Sequence, residues 1–314
     1  MTNYIMRRLL LLIPLLLGLS IVIFVVMRSL PGDPAAARLG PDARPETIAA
    51  VRAELKLDDP IPVQYLTWMK GLVRGDLGDS YLFRAPVTEQ IRKRLPVTFE
   101  LVVLGMLVTI VVGIPSGILS ALKRNSTTDY IVRVINVLLL AVPGFWLATL
   151  MLLLPSLWWG YAPPIGYTPL WEDPLKNLEQ FYMPAFALGA ASAAAVMRMT
   201  RSVVLEILSM DYVRTARAKG LRQRVIIIRH VLKNAAIPVM SLIALQAAVL
   251  IGGQVVIEQI FTMPGVGRLL VESVLLRDYN VVQGVVLYIA GAVLVVNLLA
   301  DISYAYLDPR IKYS

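Results

Sequence analysis

The chain has 314 residues, 57% of them hydrophobic and 16% charged, with a formal net charge of +9 and a pI near 9.8. A soluble domain carries roughly 25% charged residues, so one aqueous core cannot absorb this apolar surface, and the mean hydropathy of +0.69 makes lipid the solvent for much of it. The basic balance then reads as Lys and Arg held on the cytoplasmic side of a bilayer, with no nucleic-acid partner. Cysteine is absent, which removes disulfides, thiol nucleophiles and thiolate metal sites; a single histidine, His230, removes most His-based catalysis and the common zinc sites.

The N-terminus, Met1 to Arg8, leads into an uncharged run from Leu9 to Met27. That run is too long for a signal-peptide core, and Arg28-Ser-Leu-Pro-Gly-Asp33 comes after it instead of a small-x-small cleavage site. It reads as a retained first span, with Arg7 and Arg8 holding the N-terminus inside. Residues 1–97 form one region, this span plus a long external loop of mixed charge. Within the loop, Ile48, Val51 and Leu55 recur at helical spacing, as do Leu66, Met69 and Leu72, with Asp58-Asp-Pro-Ile-Pro62 as a breaker between two short amphipathic helices. The loop is either an external cap on the bundle or, in the sharper reading, a docking surface or part of the entrance.

Residues 98–309 read as a second region of five spans. A helix needs roughly 20 apolar residues to cross the hydrocarbon core, and six stretches of the chain reach or approach that: about 9–28, 100–122, 131–155, 183–200, 235–258 and 280–303. The fold class is therefore all-α polytopic membrane protein. Pro14, Pro115 and Pro143 interrupt spans, Gly113 and Gly117 form a small-xxx-small pair, and the fourth span is rich in Ala and Ser; small residues let helices approach closely, which places that span inside the bundle.

Loop charge sets the orientation. Residues 198–233 carry nine basic side chains against Glu206 and Asp211, a net of +7, whereas the stretch holding Glu172, Asp173, Lys176 and Glu179 nets −2. Both termini and the 123–130 and 198–233 loops are expected in the cytoplasm; Arg92-Lys93-Arg94 runs against the rule at the end of a long loop, where the bias is weak.

The sequence has no GxxxxGK[ST] loop, no HExxH pair and no Gly-x-Ser-x-Gly elbow, so neither ATP binding nor hydrolytic catalysis is expected in this chain, and no cofactor or metal. Polar residues inside the spans (Gln246, Gln254, Glu258, Asn297 and Asp301) are explained by interhelical hydrogen bonds or interfacial solvation; a place in a translocation pathway is the sharper alternative for Gln254 and Glu258.

The informative segment is the basic loop, about 205–237. Asp211 reads as an N-cap or a first-turn acid favoured by the helix dipole; Tyr212-Val213-Arg214-Thr215-Ala216-Arg217-Ala218-Lys219 is helix-forming and ends on cations; Gly220, before Leu221, sits where a left-handed glycine ends a helix. A second helix, about Arg222 to Asn234, resumes with Val225, Ile228, Val231 and Leu232 on one face. Such a loop could lie on anionic lipid headgroups. A helix that docks into a partner explains the punctuation as well as the charge.

At these residues the chain resembles the permeases of binding-protein-dependent ABC importers, and within them the first permease of the dipeptide/oligopeptide branch. Asp211-Tyr-Val-Arg-Thr-Ala-Arg-Ala-Lys-Gly-Leu221 is similar to that branch's form of the EAA loop, and Arg229-His-Val-Leu-Lys-Asn-Ala-Ala-Ile-Pro238 to its continuation. Leu30-Pro-Gly-Asp-Pro34, Gly75-Asp-Leu-Gly78, Pro264-Gly-Val-Gly267, Arg277-Asp-Tyr279 and Asp308-Pro-Arg310 fall where the branch has them. The general Glu-Ala-Ala is replaced by Arg214-Thr215-Ala216, a departure typical of the peptide branch. The resemblance implies a type I permease in the bacterial inner membrane, paired with a homologous second permease. Two ATP-binding subunits would hold ATP and Mg and receive Asp211–Gly220 as the coupling helix, and a periplasmic or lipid-anchored binding protein would deliver peptides. Nickel chelates, glutathione or haem are cargoes of related systems, and a stand-alone facilitator or receptor is the alternative of another class.

Overall fold

A computed structural model describes residues 2–29, 32–40 and 42–307. Leu30-Pro31, the Asp308-Pro-Arg310 match and the side chains of Arg7 and Arg8 lie outside the described residues. Apart from an isolated bridge between Asp79 and Pro86, the regular structure among the described residues is helical: α1 (Thr2–Ser29), α2 (Pro34–Leu39), α3 (Pro45–Glu54), α4 (Ile61–Val73), α5 (Val87–Leu122), α6 (Thr127–Ala141), α7 (Gly144–Trp159), α8 (Pro174–Ser209), α9 (Asp211–Ala218), α10 (Gln223–Val225), a π-helical segment (Ile226–Leu232), α11 (Lys233–Ile260), α12 (Val266–Leu275) and α13 (Tyr279–Leu307).

Five stretches, Leu10–Ser29, Val87–Leu122, Pro174–Ser209, Gln223–Ile260 and Tyr279–Ile302, are long and apolar enough to cross a membrane. The sixth expected span, 131–155, is not one straight helix: α6 and α7 meet at 103°. Pro143 is the cause. A proline disfavours the α conformation in the residue before it, and Val142 is extended at φ −82°, ψ 122°. The second expected span, 100–122, begins earlier, so Arg92-Lys93-Arg94 lies in the first turns of α5, where Lys93 pairs with Glu89 at 2.6 Å and Arg94 with Gln90 at 2.6 Å.

The chain divides into two compact units, residues 1–98 with 263–294, and residues 99–262 with 295–314. In the first, Val87 and Ile91 of α5 pack with Val266 and Leu269 of α12 and Val281 and Val285 of α13. A second cluster joins Met27 of α1 to Tyr81, Tyr279 and Val282. The loop motifs around Gly78 and Asp278 meet here: Ser80 donates to Asp278 at 2.5 Å, and Asn280 donates to the Asp79 carbonyl at 2.8 Å. Two short helices do occupy the loop, yet Leu66 is exposed; the inward side of α4 carries Tyr65, edge-on to Phe24, and Trp68, tilted against the same ring. Large rings cover more apolar surface than an isobutyl group, which decides the face.

In the second unit α8 is the central helix. Its most apolar window is 78% buried, against at most 33% for the other spans, as its small residues predict. A Cβ on Gly113 would lie 2.8 Å from the Ala193 carbonyl oxygen, and one on Gly117 2.7 Å from that of Met197. The two glycines let α5 and α8 touch backbone to side chain. Val196 packs with Val239 and Ile243 of α11, and Asn136 of α6 donates to the Ala194 carbonyl at 2.6 Å.

Candidate functional site

The basic loop folds into a short helix gripped on one side and open on the other. After α8 ends, Met210 turns the chain with an extended backbone, and α9 begins. Val213 and Ala216, three residues apart on one face, are buried among Ala121 of α5, Val204 and Ile207 of α8, Ile226 and Val231 of the π segment and Ala235 of α11. The other α9 side chains are exposed: Asp211, Tyr212, Arg214, Thr215, Arg217 and Ala218, with Lys219, Gly220 and Leu221 after them. Burial therefore fixes the helix in place while its polar side faces outward.

Gly220 ends α9 as the sequence predicts. Its φ is +75°, the Leu221 N–H donates to the Ala216 carbonyl at 3.3 Å and the Gly220 N–H to the Arg217 carbonyl at 2.9 Å. These are the paired bonds of a Schellman stop, and they satisfy two carbonyls that the helix end would otherwise leave open. The start of α9 departs from the capping alternative. The N-cap is Met210, with no side-chain cap bond, and Asp211 is the first helical residue. Its carboxylate is 95% exposed and meets Arg214 only at 3.5 Å. What remains for Asp211 is the first-turn acid in favourable relation to the helix dipole, and an exposed pair of this kind contributes little.

The second helix differs more. Residues 222–234 are not a separate amphipathic helix: α10, the π segment and α11 run on as one helix, Gln223–Ile260, that continues into the fifth span. Its inward residues are Ile226 and Val231, five apart, while Val225 and Ile228 are exposed. A π turn bonds i to i+5 instead of i to i+4, so the buried pair keeps that wider period; of the four residues expected on one face, Val231 is buried and Leu232 packs against the same cluster, while Val225 and Ile228 are not inward. Asn234 at the foot of α11 donates to the Tyr212 hydroxyl at 3.0 Å and to the His230 carbonyl at 2.7 Å. The Tyr212 hydroxyl reaches the same carbonyl at 3.4 Å. The single histidine thus enters the site through its backbone.

Beneath this loop sits a polar bolt that charge counting missed. Asp129 on α6 is fully buried and accepts from both Nε and Nη2 of Arg201 on α8 at 3.1 Å, from Ser120 of α5 at 2.5 Å and from the Asn125 backbone N–H at 3.0 Å. Arg201, one of the nine cations used for orientation, is an internal partner as well. Ser126, which accepts from the Asp129 N–H at 3.3 Å, is the sequence signal that marks a helix start there.

Gln254 and Glu258 lie one turn apart on α11 and are both fully buried. Among the described residues neither side-chain amide atom of Gln254 has a hydrogen-bond partner. Gln254 is 21 residues along α11 from Lys233, about 30 Å at 1.5 Å per residue, so the structure brings these two together but not with α9. Gln246 takes the expected interhelical bond, with Ser192 at 3.3 Å. Among the described residues no group of three or more His, Asp or Glu gathers as a metal site.

This arrangement of helices and loop has relatives. Residues 113–313 match the family described as "binding-protein-dependent transport system inner membrane component", and residues 1–102 match its N-terminal family. The chain is 42% identical over 313 residues to a putative peptide transport system permease protein of Brucella abortus, and 39% identical over 339 residues to the dipeptide transport system permease protein DppB of Alkalihalophilus pseudofirmus. It is 40% identical over 313 residues to the glutathione transport system permease protein GsiC of Pectobacterium atrosepticum; all three alignments cover the whole of both chains. Among solved structures, an inward-facing form of the MetNI methionine ABC transporter matches 70% of this chain and 96% of its own with a TM-score of 0.57 at 17% identity, a likeness of fold. The chain belongs to the inner membrane components of binding-protein-dependent transport systems, the permease subunits of ABC importers.

Proposed function

We propose that this chain carries di- and oligopeptides as the first-type permease of its importer, and that Asp211–Leu221 is the segment through which an ATP-binding subunit drives it. Full-length similarity to peptide and dipeptide permeases supports the cargo class. Glutathione, the cargo named for a relative of equal similarity, is the second reading, and it too is a short peptide. The chain is a non-catalytic subunit; ATP and Mg bind the two ATP-binding subunits. A different, homologous permease completes the pathway, and a periplasmic or lipid-anchored binding protein supplies it. Both termini and the α9 loop face the cytoplasm in this reading, which the net of +7 in residues 198–233 supports.

The observation that carries the coupling assignment is the two-sided character of α9: its apolar face is built into the ends of three long helices, and its polar face is free for a partner. A push on such a helix moves α8 and α11 with it instead of bending a loop. Gln254 and Glu258, polar and buried in the last two turns of α11, are the candidates for the translocation pathway. Purification of the tagged chain with its ATP-binding subunits, and uptake by Gly220→Pro, test this. Proline cannot adopt the φ of +75°. A chain that retains no ATP-binding subunit, together with normal uptake by Gly220→Pro, sinks the coupling assignment.

A further inference from the structure

The loop after α1 holds two helices of opposite character. α3 turns Glu46, Thr47, Ala49, Ala50 and Glu54 outward, a polar and small-residue surface that water covers at little cost. α4 has one charged residue, Lys70, and is largely apolar on both sides. Its inward side lies on α1 through Tyr65 and Trp68, whose ring centroids are 5.2 and 5.8 Å from that of Phe24. On the side turned away, Val63, Leu66 and Val73 are 47%, 65% and 81% exposed. A helix with apolar residues on both sides needs cover on both, and water on this one would meet three large apolar side chains.

The depth of α4 decides what the cover is. Arg28 is the first charge after the apolar run of α1 and marks where that span leaves the hydrocarbon; its Nε donates to Gln64 of α4 at 3.1 Å. The Tyr65 hydroxyl shares a hydrogen bond of 2.9 Å with Ser20, midway along the span Leu10–Ser29. From Arg28 to Phe24 is about 6 Å of helix rise, and to Ser20 about 12 Å. α4 is therefore pinned with Gln64 at the boundary and its two rings below it, the depth of about 5–10 Å at which amphipathic helices lie in a membrane interface. A soluble partner docks above that level. The acyl chains that cover the exposed Ile21, Val22, Val25 and Val26 of α1 are at it.

We infer that α4 is an interfacial helix whose outward face, Val63, Leu66 and Val73, is covered by the phospholipids at the Arg28 end of α1, with the Lys70 ammonium among their phosphates. The leaflet is the outer one in the orientation proposed above, but the depth of α4 follows from its contacts with α1 and not from that orientation. The chain has no cysteine, so single nitroxide labels can be placed at Leu66→Cys and Val73→Cys, and at Ala50→Cys on the polar side of α3 as control. The importer, assembled with cysteine-free partner subunits in nanodiscs of phosphatidylethanolamine and phosphatidylglycerol, is measured by spin resonance for accessibility to oxygen, which concentrates in lipid, and to a nickel chelate, which stays in water. The ratio of oxygen to nickel accessibility is expected to be severalfold higher at Leu66 and Val73 than at Ala50, and unchanged when the binding protein is added. A ratio equal to that of Ala50 places the face in water and overturns the inference. Low accessibility to both reagents overturns it too, because another protein then covers α4: a partner permease if the binding protein is absent, the binding protein if the loss follows its addition.

Discussion

The side-chain amide of Asn234 sits between the Tyr212 hydroxyl, 3.0 Å away, and the His230 carbonyl, 2.7 Å away, so one residue at the foot of α11 ties α9 to the π segment. Both side chains are exposed, and a hydrogen bond in such a place contributes about 1 kcal/mol. Asn234→Ala and Tyr212→Phe should therefore leave the melting temperature within a few degrees. Their effect falls on coupling: binding-protein-stimulated ATP hydrolysis should drop severalfold while hydrolysis without the binding protein persists. Unchanged stimulation in both variants would show that the apolar face of α9 is sufficient.

The π segment makes a separate prediction. Its hydrogen bonds span one residue more than those of an α-helix, and three consecutive isoleucines, Ile226 to Ile228, lie in it. Deleting Ile227 turns the five-residue spacing of Ile226 and Val231 into a four-residue spacing, which an α-helix also places on one face. The deletion variant is expected to fold with an equal or higher melting temperature. Deleting Ala244, inside the regular part of α11, rotates the remainder of that helix by about 100° against its neighbours and should abolish folded protein. Loss of folding in the Ile227 deletion would show that the wide turn sets the helix register.

Span existence, the buried character of α8 and the Gly220 stop were legible because each depends on local composition: apolar length, small residues, and a glycine after a run of helix formers. The inward face around Ile226 was not, since periodicity arguments assume 3.6 residues per turn and the backbone there keeps another period. Nor was the break at Pro143 predicted as a 103° bend; proline inside a span is tolerated in α8 and α11 at Pro184 and Pro238, and only tertiary packing distinguishes a kink from a break. Asp129 escaped notice for a different reason. Loop charges were weighed as a sum, and a sum cannot reveal that one acid and one arginine, 72 residues apart, are bonded to each other.

The close approach of α5 to α8 is open to a steric test. Gly117→Leu puts a side chain where a Cβ alone would lie 2.7 Å from the Met197 carbonyl oxygen, whereas the space beside Gly252 is open to 4 Å. Overpacking costs about 1–3 kcal/mol and more where backbone must move. Thermal unfolding in detergent should show a lowered midpoint for Gly117→Leu and little change for Gly252→Ala. Equal midpoints would mean that the two helices separate at no cost.

Tyr81 offers a pH readout outside the spans. Burial pushes its phenol up to about 12, from an ordinary value of about 10. A raised folded-state value means that stability from the neutral phenol is complete below pH 10 and is lost as the pH rises through about 12. Tyr81→Phe removes the titrating group, so its alkaline unfolding should begin at higher pH than that of the unmodified chain. Coincident alkaline transitions would remove Tyr81 from the account.

The Asp129–Arg201 pair sets the strongest stability prediction. The carboxylate is fully buried and takes four donors, while the guanidinium retains 22% exposure, so removing the acid strands Arg201, and removing Arg201 leaves a deeper acid whose remaining cation is Arg133, 3.5 Å away and 40% exposed. Breaking one side of a buried pair costs about 3–5 kcal/mol. Arg201→Met should accordingly be at least as damaging as Asp129→Ala, because the anion it leaves has less access to water. The double variant leaves only Arg133, whose Nε lies 3.5 Å from the carboxylate and whose side chain is 40% exposed, so it should recover part of the loss, as replacing both partners of a pair by apolar groups often does. A thermal-unfolding cycle on the four proteins measures this. Additive losses in the double variant would show that each residue acts through separate contacts, Asp129 through Ser120 and the Asn125 N–H, and that the pair itself contributes nothing to holding α6 on α8.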